Sequence, residues 1–171
     1  TIEGVLKKSK PGRALTLRPI RPEDEAQHLS FLARLDPADI RMRVFYSRRS
    51  IERSELARLT QIDYAREMAF VAVDHDDAGR ERTLGVVRAI ADPDNVSAEF
   101  GIVIRSDMQG LRLGPLLMQH IIDYQRSQRT HKLVATVLAE NTRMLELAQR
   151  LGFVEKSSDQ GDGIRSIELL L

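Results

Sequence analysis

Cysteine is absent from this 171-residue chain. That excludes a disulfide scaffold, a thiolate zinc site and a cysteine nucleophile. A dominant charge of one sign is missing too: 26 Lys and Arg stand against 25 Asp and Glu, a formal net charge of +1. Such a balance fits neither a strongly basic nucleic-acid binder nor an acidic solvating tail. No apolar run approaches the ~18–20 residues of a membrane helix. No signal-peptide hydrophobic region, internal repeat or low-complexity block is evident. The four histidines, His28, His75, His120 and His131, lack metal-ligand spacing, so no metal is expected.

What is present is ordinary for a globular domain: 42% hydrophobic and 30% charged residues. A chain of this size buries about 68–70% of its extended surface, enough for a core without staples. The expected compartment is a reducing, bacterial-type cytoplasm. Residues 1–13 carry Lys7, Lys8, Lys10 and Arg13 without clear periodicity and read as a linker or expression remnant. Because the first residue is Thr1, the reading allows that the native chain is longer. One domain is expected over residues 14–171.

Within it, residues 14–20 alternate as a strand, and Pro22-Glu23-Asp24-Glu25 opens a helix with carboxylates in its first turn. Further helical stretches are expected at 38–45 and 51–61. The period then shortens to that of strands at 68–73, 83–91 and 96–105, joined by Asp/Gly- and Asp/Pro-rich turns. A helix follows Gly110 to about residue 129, with Leu113, Leu117, His120 and Ile121 on its apolar face. His120 reads as a core histidine. A strand at 133–138, a helix at 141–151 stopped by Gly152, and a hairpin of 153–156 with 164–170 complete the chain. The fold class is α/β (α+β): a mostly antiparallel mixed sheet of six to seven strands flanked by about four helices.

One segment carries chemistry. From Glu99 to Pro115 a strand runs through Gln109-Gly110-Leu111-Arg112-Leu113-Gly114 directly into a helix. Such a turn gathers backbone N–H groups at the positive end of a helix dipole, a natural seat for pyrophosphate. It is neither a P-loop nor a dinucleotide fingerprint. The glycines alone also fit a loop that merely needs positive φ.

With its surroundings, the Gln-Gly-x-x-x-Gly turn and Leu-Leu-Met helix resemble the acyl-CoA motif of GNAT N-acetyltransferases. Asn141-Thr-Arg-Met-Leu-Glu-Leu-Ala-Gln-Arg-Leu-Gly152-Phe153 resembles that family's next motif, and Leu17-Arg-Pro-Ile-Arg-Pro-Glu-Asp24 its opening. The segments Thr60–Ala69, Ala91–Asn95 and Ala98–Phe100 are most similar to the Pat-type protein lysine acetyltransferases.

The resemblance implies the GNAT fold, acetyl-CoA as co-substrate, and transfer to a protein lysine. An AMP-forming acyl-CoA synthetase is the implied substrate partner. A synthetase-like or regulatory region on a longer native chain is a further implied partner, with no nucleic acid and no membrane. Backbone groups of Val103, Ile104 and Arg105 would pair with the pantetheine arm. The thioester oxygen would face an N–H near Val103. Residues Gln109, Gly110, Leu111, Arg112, Leu113 and Gly114 would hold the pyrophosphate, and Asn141 would touch the pantetheine or order the site. Glu99 matches the family's general base. A lysine amine, with an ordinary pKa near 10.4, must lose a proton before it attacks. The other reading of Glu99 is a surface residue on a strand whose opposite face is buried.

The chain departs from the family pattern twice. Arg112 replaces a glycine, and Ala148 stands where a tyrosine often protonates the thiolate, leaving water, Tyr124 or Tyr64 for that task. Two alternatives therefore stay open: a small-amine acetyltransferase, and a non-catalytic acyl-CoA-binding module. Arg41, Arg43, Arg48 and Arg49 read as a solvated helical face or a steering patch. Asp63, Tyr64, Arg66 and Glu67 read as either acceptor-cleft or capping residues.

Overall fold

The computed structural model describes residues 4–8, 14–35, 66–105, 113–156 and 163–171. The expected helices at 38–45 and 51–61, the arginine patch, Tyr64 and the turn from Gln109 to Arg112 lie outside the described residues.

Among the described residues eight strands form one sheet. They are β1 (Gly4–Lys8), β2 (Ala14–Pro19), β3 (Glu67–His75), β4 (Glu81–Ala91), β5 (Ser97–Ile104), β6 (Lys132–Leu138), β7 (Val154–Lys156) and β8 (Ile164–Leu170). Their spatial order is β1-β2-β3-β4-β5-β6-β8-β7. Every pairing is antiparallel except β5 with β6. The expected α/β class holds, with one strand more than the six to seven anticipated. The extra strand is β1, which pairs Gly4 with Leu17 and Leu6 with Leu15. It falls where a linker was expected, because an edge strand needs only one hydrogen-bonding partner and its lysine-rich sequence carries no clean alternation.

Described helices are α1 (Glu25–Ala33), α2 (Leu113–Ser127) and α3 (Thr142–Leu151), with a 3₁₀ turn at Pro22–Asp24. They divide between the two sheet faces. Helices α2 and α3 cover one face with Leu113, Leu117, Ile121 and Leu147 packed on Phe100 and Ile102. Helix α1 covers the other, where Phe31 joins Ile20, Val71, Val86 and Val103. Strand alternation explains the division: even-numbered Phe100 and Ile102 face one way and odd-numbered Val103 the other.

Helix α1 is anchored by a buried ion cluster. Arg18 on β2 donates to both Asp24 carboxylate oxygens, at 2.7 and 2.8 Å, and to Glu81 at 2.6 Å. Asp24 also accepts from the Arg21 amide at 2.8 Å. Burial alone would push the Asp24 carboxyl up, but the Arg18 and Arg21 contacts outweigh it and hold the pKa down.

His120 is not a core residue. It is half-buried, donates from Nδ1 to the Leu116 carbonyl at 3.0 Å, and meets the Phe70 ring edge-on at 5.6 Å. Its position one turn from Leu117 gave it an apolar spacing, but it sits at the edge of the helix face, where a polar tip stays reachable.

Candidate active site

The site begins with a parting of strands. Strands β5 and β6 pair at only three rungs: Ser97 with Lys132, Ala98 with Leu133, and Glu99 with Val134. Beyond Glu99 each strand keeps its outer neighbour. Strand β5 runs on against β4 to Ile104, and β6 against β8 to Leu138. Among the described residues nothing bridges them there. Five residues of β5, about 16 Å of strand, therefore present one unpaired backbone edge.

The parting is pinned at its base. The Val96 carbonyl accepts from His131 and Lys132 amides, both at 3.1 Å. Asn95, held at φ 58°, donates from its amide to the Gln128 carbonyl at 2.8 Å and accepts from the Thr130 hydroxyl at 2.8 Å. Asparagine tolerates this left-handed conformation better than most residues. The buried Gln125 amide donates in turn to Thr130 at 2.8 Å. The β4–β5 and α2–β6 turns are thereby tied together where the parallel pairing starts.

These bonds also fix which backbone groups face the opening. The Ser97 carbonyl accepts from the Asp92 amide at 2.8 Å, and the Arg105 amide donates to the Leu84 carbonyl at 3.0 Å. Odd-numbered residues of β5 thus turn their backbone toward β4, while Val96 turns its carbonyl toward β6. By the same alternation, Ile102 and Ile104 direct N–H and C=O into the parting. Of the three backbone positions expected to meet a pantetheine arm, Ile104 is the one that faces the parting. The Arg105 amide is engaged by β4, as is the backbone of Val103 by alternation, and Ile102 takes their place. The Asp92–Ser97 hydrogen bond fixes this parity, and no residue type in the sequence marks it.

Glu99 stands on the last shared rung, opposite Ile90 of β4 and Val134 of β6, on the α1 side of the sheet. It is half-buried. Burial pushes its carboxyl above the usual range, and the nearby Asp92 carboxylate adds to the rise. Charges lie around it on the same face: Arg88 opposite Gly101, Asp92 beyond Ile90, and Lys132 opposite Ser97. Glu67 and Glu168 lie two strands away on either side along the same rung. Lys132 is itself 3.6 Å from Glu168.

His28 of α1 lies near Arg88 with a 2% exposed side chain. Burial and the Arg88 charge drive its pKa down to about 3, so it is neutral at physiological pH. Among the described residues its Nδ1 has no hydrogen-bond partner. Arg66 reaches back to the Ala91 carbonyl at 3.2 Å, so this residue serves the β3–β4 end rather than a cap.

The far end of the opening is built by close packing. Leu113 is fully buried at the start of α2. A Cβ on Gly114 would stand 3.2 Å from Leu147 Cδ2 and 3.6 Å from Ile104 Cδ1. Glycine thus lets the first turn of α2 approach the end of β5 and the side of α3. Pro115 is tolerated because amides in a first helical turn need no intrahelical acceptor. Asn141 caps α3, its side-chain oxygen accepting from the Met144 amide at 3.2 Å.

Ala148 is buried in the core and brings no hydroxyl. Tyr124 packs its ring edge-on against Phe70, 6.1 Å away. Phe70 pairs with Val87, which pairs with Ile102, so the ring that Tyr124 meets lies two strands from β5. Among the described residues no group of three or more His, Asp or Glu could hold a metal, and no helix is long and apolar enough to cross a membrane.

Comparison with known proteins places the chain in a family. Residues 14–154 match the family described as Acetyltransferase (GNAT) domain. The chain belongs to the GNAT acetyltransferases. It is 36% identical over 143 residues to Acetyltransferase PA5475 of Pseudomonas aeruginosa, covering 84% of this chain and 76% of that protein. An L-methionine sulfoximine/L-methionine sulfone acetyltransferase from the same species matches over a shorter stretch, 35% identical over 57 residues and 33% of each chain. In fold, the chain is similar to the GNAT domain of S. lividans PAT, with TM-score 0.81, 21% identity and coverage of 99% and 97%. It is also similar to the spermidine/spermine N-acetyltransferase SpeG of Vibrio cholerae, with TM-score 0.66, 22% identity and coverage of 91% and 93%.

GNAT acetyltransferases use acetyl-CoA as co-substrate, and the described residues fit it. The unpaired edge at Ile102 and Ile104 matches what an extended amide-bearing arm requires, and the start of α2 suits phosphate.

Proposed function

We propose that this GNAT domain transfers an acetyl group from acetyl-CoA to the ε-amine of a protein lysine, with Glu99 as general base. The observation that carries the reading is the place of Glu99. It is a half-buried carboxylate with raised proton affinity, on the last rung before β5 and β6 part. Residues Gln109–Gly114 would hold the pyrophosphate, and the backbone of Ile102 and Ile104 the pantetheine arm. Glu99 accepts a proton from the amine, directly or through water, as nitrogen bonds to the thioester carbon. The carbon–sulfur bond breaks and CoA leaves as thiolate. A thiol of pKa about 8.5 is a fair leaving group, and water can return its proton without Tyr124.

Lysine on an AMP-forming acyl-CoA synthetase is the preferred acceptor, supported by the Pat-type segments in the sequence and by the fold likeness to the GNAT domain of S. lividans PAT. On this reading the domain works in the cytoplasm, beside a regulatory or synthetase-like region of a longer chain. The fold likeness to SpeG supports a second reading, a small-amine acceptor.

The test incubates the domain with acetyl-CoA and a purified AMP-forming acyl-CoA synthetase, and maps acetyl-lysine by mass spectrometry. A parallel arm offers spermidine and free amino acids and follows CoA release. Site-selective acetylation above a no-domain control supports the protein acceptor. CoA release with small amines alone replaces it by the second reading.

A further inference from the structure

Asp92 follows the last residue of β4 and faces Ser97, the first residue of β5, across the turn. Its amide donates to the Ser97 carbonyl at 2.8 Å, and the Ser97 hydroxyl donates to its carboxylate at 2.6 Å. Its carbonyl accepts from the Asn95 amide at 2.8 Å. The turn is thus clasped from within, and Asn95 ties it to Thr130 and Gln128 from without.

Register places this clasp beside the candidate base. Ala91 pairs with Ala98 and Ile90 with Glu99, so Asp92 stands opposite Ser97 and diagonal to Glu99 on the same face. Diagonal neighbours on adjacent antiparallel strands lie about 7–8 Å apart. The Asp92 carboxylate is fixed at that diagonal, since Ser97 holds one of its oxygens.

We propose that Asp92 is a positioning residue for the acetyl-transfer reaction: clasped by Ser97, its carboxylate stands as a fixed negative charge at the diagonal of Glu99 and acts on the reaction through that base. The inference rests on Glu99 being the base. Opposing charges face Glu99 from the neighbouring strands: Arg88 on β4, and Lys132 on β6. Lys132 is drawn to Glu168 on β8, and Arg88 stands near neutral His28 of α1. Glu67 on β3 lies a strand further off. Asp92 is the acidic neighbour at the near diagonal, which is why its removal should register.

Two charges at that separation in a partly solvated site interact enough to move a titration by about half a pH unit. Asp92 is exposed, so the effect should shrink in high salt. Asp92→Asn keeps an oxygen for Ser97 and removes the charge. Ser97→Ala keeps the charge and opens the clasp.

The decisive measurement is a carboxyl ¹³C titration of glutamate-labelled protein, with the Glu99 signal assigned by its loss in Glu99→Gln. Asp92→Asn should titrate about half a pH unit lower than wild type in 0.05 M NaCl, with a smaller difference in 1 M NaCl. Ser97→Ala should move the same way by less. Unfolding temperatures measured alongside guard against a misfolded variant, and Asp92→Glu should restore most of the shift. A Glu99 titration unmoved in a folded Asp92→Asn protein overturns the proposal. The pH dependence of CoA release with the acceptor protein separates this from the base assignment. An acid limb that survives Glu99→Gln overturns the base reading, whatever the NMR titration shows. A limb that belongs to Glu99 and moves down in Asp92→Asn supports both.

Discussion

Glu99 and Val134 form the last rung that β5 and β6 share. One residue later the strands separate, so the candidate base stands where sheet becomes cleft. A carboxylate here is half shielded by the sheet below it and open to an approaching amine, which lets one residue be both desolvated and accessible. Of the elements holding it, the Asp92–Ser97 turn adjoins it in sequence, while the Thr130 corner and β6 come from far along the chain. Substitutions that disturb those elements should therefore act on the placement of Glu99.

Asn141 illustrates a local support. Replacing it with Ala removes the oxygen that accepts from the Met144 amide and should cost about 1 kcal/mol. For a chain of this length that is a fall of roughly 2–4 °C in unfolding temperature. Asn141→Ser keeps a cap and should recover most of it. Acetyl-CoA affinity measured on both variants divides the roles. Recovery in Ser assigns Asn141 to ordering α3, and continued weakness in Ser assigns it a direct contact through its amide.

Gly85 tests the packing that sets the far end of the cleft. A Cβ there would stand 3.1 Å from Ile104 Cγ1, 3.2 Å from Leu117 Cδ1 and 3.4 Å from the Val103 carbonyl. Gly85→Ala should destabilise by about 1–3 kcal/mol and push Ile104 outward. A Cβ on Gly163 would meet nothing within 4 Å among the described residues, so Gly163→Ala serves as a control and should melt close to wild type. A thermal melt with an acetyl-CoA titration reads both effects.

The fold's acid sensitivity should come largely from His28. Its folded pKa is driven down to about 3, while the unfolded chain titrates near 6.5. Between those values the unfolded state binds the extra proton, so stability is full above about pH 6.5 and is lost as pH falls. The expected loss is on the order of 3 kcal/mol between pH 6.5 and 4. Urea unfolding midpoints across that range should drop steeply in wild type and more gently in His28→Phe. Equal slopes would show that the histidine is not buried neutral.

The order of elements could be read from the chain because period changes are local. Met68–Val73 looks like a buried strand and lies within β3, and the Gly152 stop coincides with a helix end at φ 97°. Glu99 could be named from its neighbours in sequence, although its burial could not. Less legible were features set by long-range pairing. β1 becomes a strand only because Leu15 and Leu17 are already paired beside it. Which backbone groups of β5 face the opening depends on hydrogen-bond parity, which Val103 and Arg105 carry no mark of in sequence. His120 kept helical spacing yet lies at the margin of its face. His28 and Asp92 matter through neighbours up to 60 residues away along the chain, so no local pattern announces them.

The central claim is that Glu99 takes the proton in acetyl transfer without holding acetyl-CoA. The most direct measurement pairs calorimetric binding of acetyl-CoA with the rate of CoA release for wild type and Glu99→Gln, using the synthetase and the small amines as acceptors. Because its folded proton affinity is raised, ionised Glu99 opposes folding above its pKa, and Glu99→Gln should melt at the same or a higher temperature at pH 8. The account predicts unchanged binding and a rate lower by about 10²–10⁴. Equal turnover in the variant, or no turnover by wild type with any acceptor, would contradict it.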